Sequence, residues 1–229
     1  DALGGCSDFL GSLYIDNQGA GITNLDSIVN IQTIENNLEI EEMEFQNVDI
    51  IMPSLTFIGG QLRIYKCISE KLLFPSLFSM NGTISLNQWL GDSINFESLT
   101  SSGSIDISAC GTEISGTYYS FGLHTFNSLS SIDELKIEGN GVNSTGLLTL
   151  GGFNNLQSIN NLQVQHNYNL NSCCKLLDLA AVSNSVAISN NASNCGSLIA
   201  VANSCGVSFC GTSGYTTLIT TQSEVDALG

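Results

Sequence analysis

Eight cysteines, two histidines and one run of carboxylates are the residues of this chain that could do chemistry. A zinc site needs four thiolate or imidazole ligands in a compact pattern. Cys173, Cys174, Cys195, Cys205 and Cys210 cluster towards one end, but of His124 and His166 only His166 approaches them in sequence, and neither stands in a metal or triad motif. The segment Glu39, Glu41, Glu42, Glu44 and Asp49 is the densest set of oxygen ligands. It lacks the alternating-Asp loop or Gly-rich nonapeptide that marks calcium, so a solvated convex turn competes with an ion site. The sequons at Asn81, Asn143 and Asn191 matter only in a eukaryotic secretory path. These residues imply no metal, no cofactor and no catalytic group. Cysteines at this density in an acidic chain rich in Asn, Ser and Thr imply instead secretion and disulfides.

Charge narrows the partners further. The 229 residues include 5 Lys+Arg against 21 Asp+Glu, a formal net charge of −16. Binding to nucleic-acid phosphate needs clusters of Lys and Arg, and docking on anionic lipid needs the same, so both are excluded. No stretch approaches the roughly 20 apolar residues of a membrane span, so direct membrane insertion is not expected. With 42% hydrophobic and only 11% charged residues, the chain is too apolar for disorder and long enough to bury a core.

What must position these residues is a repeat. Apolar pairs separated by one residue recur as Leu13/Ile15, Leu38/Ile40, Leu62/Ile64, Ile84/Leu86, Ile105/Ile107, Leu135/Ile137, Leu162/Val164 and Val186/Ile188. Their first members step by 25, 24, 22, 21, 30, 27 and 24 residues. Each pair alternates as a half-buried strand does. Nine or ten residues before a pair stands a second element: Met52-Pro53-Ser54-Leu55, Phe74-Pro75-Ser76-Leu77, Phe96-Glu97-Ser98-Leu99, Phe126-Asn127-Ser128-Leu129 or Phe153-Asn154-Asn155-Leu156. Ile28/Ile31/Ile34 and Leu176/Leu179/Val182 supply the same frame at the first and last repeats. Apolar residues at this spacing fit an amphipathic helix, but Pro53, Pro75, the Ser and Asn content and the short length disfavour one. The pattern predicts an all-β solenoid of about eight rungs, each of ~24 residues, whose strands stack in parallel about 4.8 Å apart.

Three residues beyond each pair runs another column, Cys67, Cys110, Asn140, Asn167 and Asn191, interrupted by Met43 and Trp89. Here the chain turns out of the strand and leaves inward-facing backbone groups that no ladder satisfies. A small side chain with a donor can bond those groups in the turns above and below; Trp89 is expected to plug a local widening of the core. Cys67 and Cys110 lie two rungs apart, about 9–10 Å, beyond the roughly 7 Å reach of a disulfide, so both are expected as buried free thiols. Of the six remaining cysteines, Cys173 and Cys174 point to opposite sides. One is expected to bond Cys195 and the other Cys205, sealing the last turns. Cys6 and Cys210 remain for a cap or a bond between modules.

The frame Leu-x-Ile-x-x-Asn/Cys with its upstream Phe-x-x-Leu-x-x-Ile resembles leucine-rich repeats. The uneven rung length, the Ile58-Gly59-Gly60-Gln61-Leu62-Arg63-Ile64 segment and the capping cysteines are similar to the receptor L domain, from about Cys6 to Cys205. The segment Val186–Asn191, followed by Leu198 to Cys205, resembles versions of that domain in tandem-repeat surface proteins, adhesins among them, of Bacteroidota. The resemblance implies a right-handed, single-stranded β-solenoid with short helical caps, an extracellular cell-surface setting and in some cases gliding motility. Asp26-Ser27-Ile28 and Asp92-Ser93-Ile94 are likewise similar to the O-glycosylation motif of that phylum, making Ser27 and Ser93 candidate acceptors. The furin-like cysteine-rich region of growth-factor receptors is absent, so receptor signalling does not carry over.

Asp1-Ala2-Leu3-Gly4 returns as Asp226-Ala227-Leu228-Gly229, an offset of 225 residues. The expected organisation is a solenoid module over 1–210, with 211–229 as linker and start of the next tandem copy. The strand face then carries Tyr14, Glu39, Arg63, Ser85, Asp106, Lys136, Gln163 and Ala187. Polysaccharide-processing β-helix enzymes need paired carboxylates or basic clusters on such a face, and Asp106 is expected to lack a second acid nearby. The sequence therefore points to a non-enzymatic spacer and adhesion module, with adjacent copies and surface glycans or proteins as partners. A ligand-recognition domain is the alternative.

Overall fold

The computed structural model describes residues 5–17, 22, 24–43, 49–111, 120–123, 125–141 and 146–207. Eight parallel strands form one continuous sheet: Leu13–Asp16, Leu38–Glu41, Leu62–Tyr65, Thr83–Asn87, Ser104–Ser108, Ser131–Glu138, Ser158–Gln165 and Ser183–Ser189. We number these rungs 1 to 8. The register places each apolar pair on the next, as in Leu38 on Leu62 on Ile84 and Ile40 on Ile64 on Leu86. The chain coils about seven times to build this sheet, a parallel β-solenoid. Every expected pair lies in its strand, because a one-residue slip would turn each apolar side chain out to water.

Most coils also carry shorter strands that the pair spacing does not mark. Asp8–Phe9, Thr33–Ile34, Phe57–Ile58 and Ser79–Met80 stack into a second sheet at the entrance to the principal one. Ile50–Ile51, Lys71–Leu73 and Ser93–Asn95 form a third, and Ser120–Gly122 pairs with Gly146–Thr149. The turn between the second sheet and rung 3 passes so close to its neighbour that a Cβ on Gly59 would collide with the Glu35 carbonyl.

The upstream Φ-x-x-Φ element is a single turn. The Leu55 N–H donates to the Met52 carbonyl (3.4 Å), Leu77 to Phe74 (3.2 Å), Leu99 to Phe96 (3.1 Å) and Leu129 to Phe126 (3.2 Å). Pro53 and Pro75 occupy the second position of this turn, where their fixed φ belongs. The turn aims its first residue inward, and four phenylalanines stack along the core. Phe74–Phe96, Phe96–Phe126 and Phe126–Phe153 have ring centroids 5.3, 5.2 and 5.1 Å apart, with interplanar angles of 11°, 12° and 4°.

The last repeat departs from the expectation of no helix in this frame. Leu176 and Leu179 lie on α1, Lys175–Ala181, which buries them. Lys-Leu-Leu-Asp-Leu-Ala-Ala contains no proline and consists mostly of strong helix formers, so the turn continues into a helix. In the first coil a 3₁₀ turn, Asp26–Ile28, precedes Ile31. A second helix, α2, spans Leu198–Ser204; Ser197 Oγ accepts the Ala200 N–H at its start, and Val201 and Ala202 are buried.

The two helices are the short caps expected. Cys173 bonds Cys195 and Cys174 bonds Cys205, with Cα atoms 5.8 and 5.7 Å apart. The consecutive cysteines thus serve different partners, which ties α1 to the loop before α2 and to its end. Cys67 and Cys110 are buried and free, as expected, and Cys6 is exposed. Cys210, His124, Glu44, Asn143 and the repeated tetrapeptide lie outside the described residues.

Candidate functional site

At the end of each of rungs 2 to 8 the chain leaves the sheet through one residue with positive φ: Glu42 (53°), Lys66 (51°), Gln88 (54°), Ala109 (55°), Gly139 (65°), His166 (58°) and Asn190 (56°). Only one of the seven is glycine, so this corner left no compositional signal. The next residue is the expected column, Met43, Cys67, Trp89, Cys110, Asn140, Asn167 and Asn191, now aimed into the core.

The column bonds the backbone as anticipated. Cys67 Sγ reaches the Ile40 and Tyr65 carbonyls, both at 3.4 Å. Cys110 Sγ reaches those of Leu86 and Ser108 at 3.4 and 3.5 Å. Asn167 Nδ2 donates to the corresponding carbonyls, Ile137 and Gln165, at 2.9 Å each. Asparagine adds an acceptor: Asn140 Oδ1 takes the Cys110 N–H at 2.9 Å, and Asn191 Oδ1 takes that of Asn167 at 3.0 Å. Trp89 fills its place in the core, its Nε1–H donating to Ser69 Oγ at 2.9 Å. Desolvation pushes the Cys67 and Cys110 thiols up to about 12. A thiol held protonated is a poor nucleophile, so this column is structural.

Charged side chains lie on the outward face of the principal sheet, at its corner and along the third sheet. Four of the five cations bond an acid one rung earlier: Arg63 with Glu39 (3.8 Å) and Glu41, Lys66 with Glu42 (3.3 Å), Lys71 with Asp49 (3.4 Å), and Lys136 with Asp106 (3.3 Å). Among the described residues of the expected acidic segment, Glu39, Glu41, Glu42 and Asp49 therefore do not gather in one free solvated turn. The coil distributes its carboxylates over two sides of the solenoid, and each described member meets a cation one rung on. Among the described residues no group of three or more His, Cys, Asp or Glu side chains is placed to hold a metal.

The expectation that Asp106 lacks a nearby acid is also corrected. Lys136 bridges Asp106 and Glu138 (3.4 Å), because Glu138 faces outward two residues along the same strand. Burial works to lower the Lys136 pKa, but Asp106 and Glu138 outweigh it and hold the amine charged. His166 sits half-buried at its corner, with Nδ1 3.7 Å from Glu138 and Nε2 3.1 Å from the Asn190 amide. The other strand-face residues expected, Tyr14, Glu39, Arg63, Ser85, Gln163 and Ala187, all lie in register on this face.

Ser27 and Ser93 are both exposed, on the 3₁₀ turn and on the third sheet. Asn81 is exposed, whereas Asn191 is buried in the ladder and closed to modification. No described helix is long and apolar enough to cross a membrane. Comparison with protein-family profiles, with curated proteins and with solved structures finds no match to this chain.

Proposed function

We propose that this chain is a repeat module of a long extracellular cell-surface adhesin or filament protein, serving as a spacer and an adhesion surface. The receptor L domain-like frame and the Bacteroidota setting, gliding included, belong to this reading. The observation that carries it is one continuous eight-strand sheet, closed at one end by two disulfides, with an open face of in-register polar side chains. Such a solenoid is held by contacts between neighbouring coils and gives a rigid, extended surface. Two disulfides suit an oxidising compartment. Denaturing electrophoresis and negative-stain imaging of the native protein test the proposal. A polypeptide many times larger, forming threads with a repeat near one module, supports it. A native species near the 24.3 kDa of this chain overturns it.

The second reading, a ligand-recognition domain of a secreted or surface receptor, is favoured by the exposed Tyr14 on the same sheet face as Arg63, two rungs away. The two readings part on repeat-to-repeat variation. Spacers should be near-identical along the array, whereas recognition modules should differ on the strand face.

A further inference from the structure

Tyr14 is 55% exposed, yet it is fixed at both ends. Its backbone is paired in rung 1 directly beside Glu39, and its hydroxyl donates to Glu41 Oε2 at 3.0 Å, diagonally across in rung 2. A ring anchored at its root in one strand and at its tip over the next lies across the sheet with a face open to water. Glu41, 8% exposed, is held in turn by Arg63 from rung 3, so the anchor is itself fixed. Tyr14, Glu39 and Arg63 thus form one line over three successive rungs. Their spacing follows the strand repeat of about 4.8 Å.

We infer that this line is a binding site for an uncharged saccharide, a pyranose stacking its C–H face on the Tyr14 ring while its hydroxyls bond Glu39 and Arg63. The inference rests on the sheet face being an adhesion surface, and it names the ligand class of that face. A carboxylate that only accepts and a guanidinium that only donates, side by side, match a pair of neighbouring hydroxyls. An aromatic ring supplies apolar area with little rotamer entropy left to lose once both ends are fixed. An anionic ligand is disfavoured, because Glu39, Glu41 and Glu42 neutralise the cations of these rungs and the chain carries −16 overall. The site is open rather than enclosed, so a single site binds weakly, and tandem copies would raise the avidity.

The test is titration of the ¹⁵N-labelled chain with uncharged gluco-, manno-, galacto- and xylo-oligosaccharides, with uronic-acid oligosaccharides as the anionic comparison. At least one uncharged oligosaccharide is expected to shift amides of rungs 1 to 3. Tyr14→Ala is expected to weaken that binding about tenfold, the loss of one stacked aromatic, while Tyr14→Phe keeps most of it and Tyr168→Ala changes nothing. Shifts from no uncharged member, shifts confined to other rungs, or binding unmoved by Tyr14→Ala each overturn the inference. Adhesion of the immobilised chain to cells, measured in parallel, separates the two readings. Adhesion that persists in Tyr14→Ala leaves the adhesion surface standing without this site, and sugar binding without any adhesion does the reverse.

Discussion

Asn167 Oδ1 accepts two hydrogen bonds from Asn140, one rung earlier: from its backbone N–H at 3.2 Å and from its side-chain amide at 2.9 Å. Asn167 also donates to the Ile137 and Gln165 carbonyls, and all of these bonds but the one to Gln165 are fully buried. Replacing Asn167 by Leu keeps the volume but leaves at least one buried N–H and one buried C=O without partners. Each such group costs about 1–3 kcal/mol, so Asn167→Leu is expected to destabilise the fold by about 3–5 kcal/mol. Urea unfolding followed by circular dichroism measures it. A loss below about 1 kcal/mol would mean that water reaches the corner and the ladder does not hold the coils together.

The phenylalanine stack makes a separate prediction. Phe126 lies between Phe96 and Phe153, with both neighbouring rings about 5 Å away and nearly parallel, and no part of it reaches water. Phe126→Ala opens a cavity in a core of fixed rungs that cannot collapse along the coil axis. A cost of about 3–5 kcal/mol follows. Phe78, one residue after Leu77 in the same element, is 58% exposed. Phe78→Ser should therefore change thermal stability by less than about 0.5 kcal/mol. Comparable losses at the two sites would contradict the inward and outward assignment of this turn.

The strand pairs and the Φ-x-x-Φ turn were legible because burial fixes their spacing. Leu62 and Ile64 must alternate with Arg63, and Pro53 cannot enter a helix interior. The Asn and Cys column was legible because a corner leaves backbone groups that only certain side chains satisfy. The corner conformation itself was not, since Glu42, Lys66, Gln88, Ala109 and His166 share no chemistry. Nor was the partner of each charge. Lys66 meets Glu42 through a coil of 24 residues, a contact that exists only once the coil length is known. Nor does the sequence show Glu138 beside Asp106, because the two meet only diagonally across paired strands, through Lys136. Leu176 and Leu179 read as a turn because a frame of three apolar residues cannot distinguish one turn from two.

Those corners carry measurable strain. An L-residue with a Cβ in the left-handed region costs about 1 kcal/mol or more, whereas glycine occupies that region freely. Ala109, φ 55°, has no side-chain function to lose. Ala109→Gly is expected to be stabilising or neutral, by up to about 1 kcal/mol, the usual penalty for glycine being reversed here. Gly139→Ala, at φ 65° with open space around the new Cβ, should cost about 1 kcal/mol through backbone strain alone. Thermal melts of the two variants test the pair, and a shift in the same direction for both would overturn it.

The buried thiols give a dependence on pH. Cys67 and Cys110 titrate at about 12 in the fold because burial disfavours the thiolate. In the unfolded chain they titrate at about 8.5. Between these values the unfolded state has released protons that the native state keeps. Their contribution to stability is therefore full below about pH 8.5 and falls as pH rises towards 12. Denaturant midpoints measured from pH 7 to 10.5 should fall, and fall less in the Cys67→Ala, Cys110→Ala variant once its own lower baseline is subtracted. Maleimide followed by peptide mapping should label Cys6 in the native protein, and label Cys67 and Cys110 only after unfolding.

The two disulfides should break in a fixed order. Cys173 and Cys195 are buried, whereas Cys174 is exposed and Cys205 half-exposed. Thiolate attack needs access to sulfur, so mild dithiothreitol should open Cys174–Cys205 first and Cys173–Cys195 only under denaturing conditions. Each bond closes a loop, of 22 and 31 residues, worth about 3–4 kcal/mol by chain entropy. The effect of Cys174→Ala with Cys205→Ala should nonetheless stay local. α2 meets the rest of the chain through Val201, Ala202 and α1, while rungs 1 to 6 are held by their own neighbours. Hydrogen exchange should therefore quicken in α2 and around Ser183–Ser189 and stay unchanged at Leu62–Tyr65. Loss of protection throughout the sheet would show that the cap closes a single cooperative fold, and that the coils do not stand on their nearest neighbours alone.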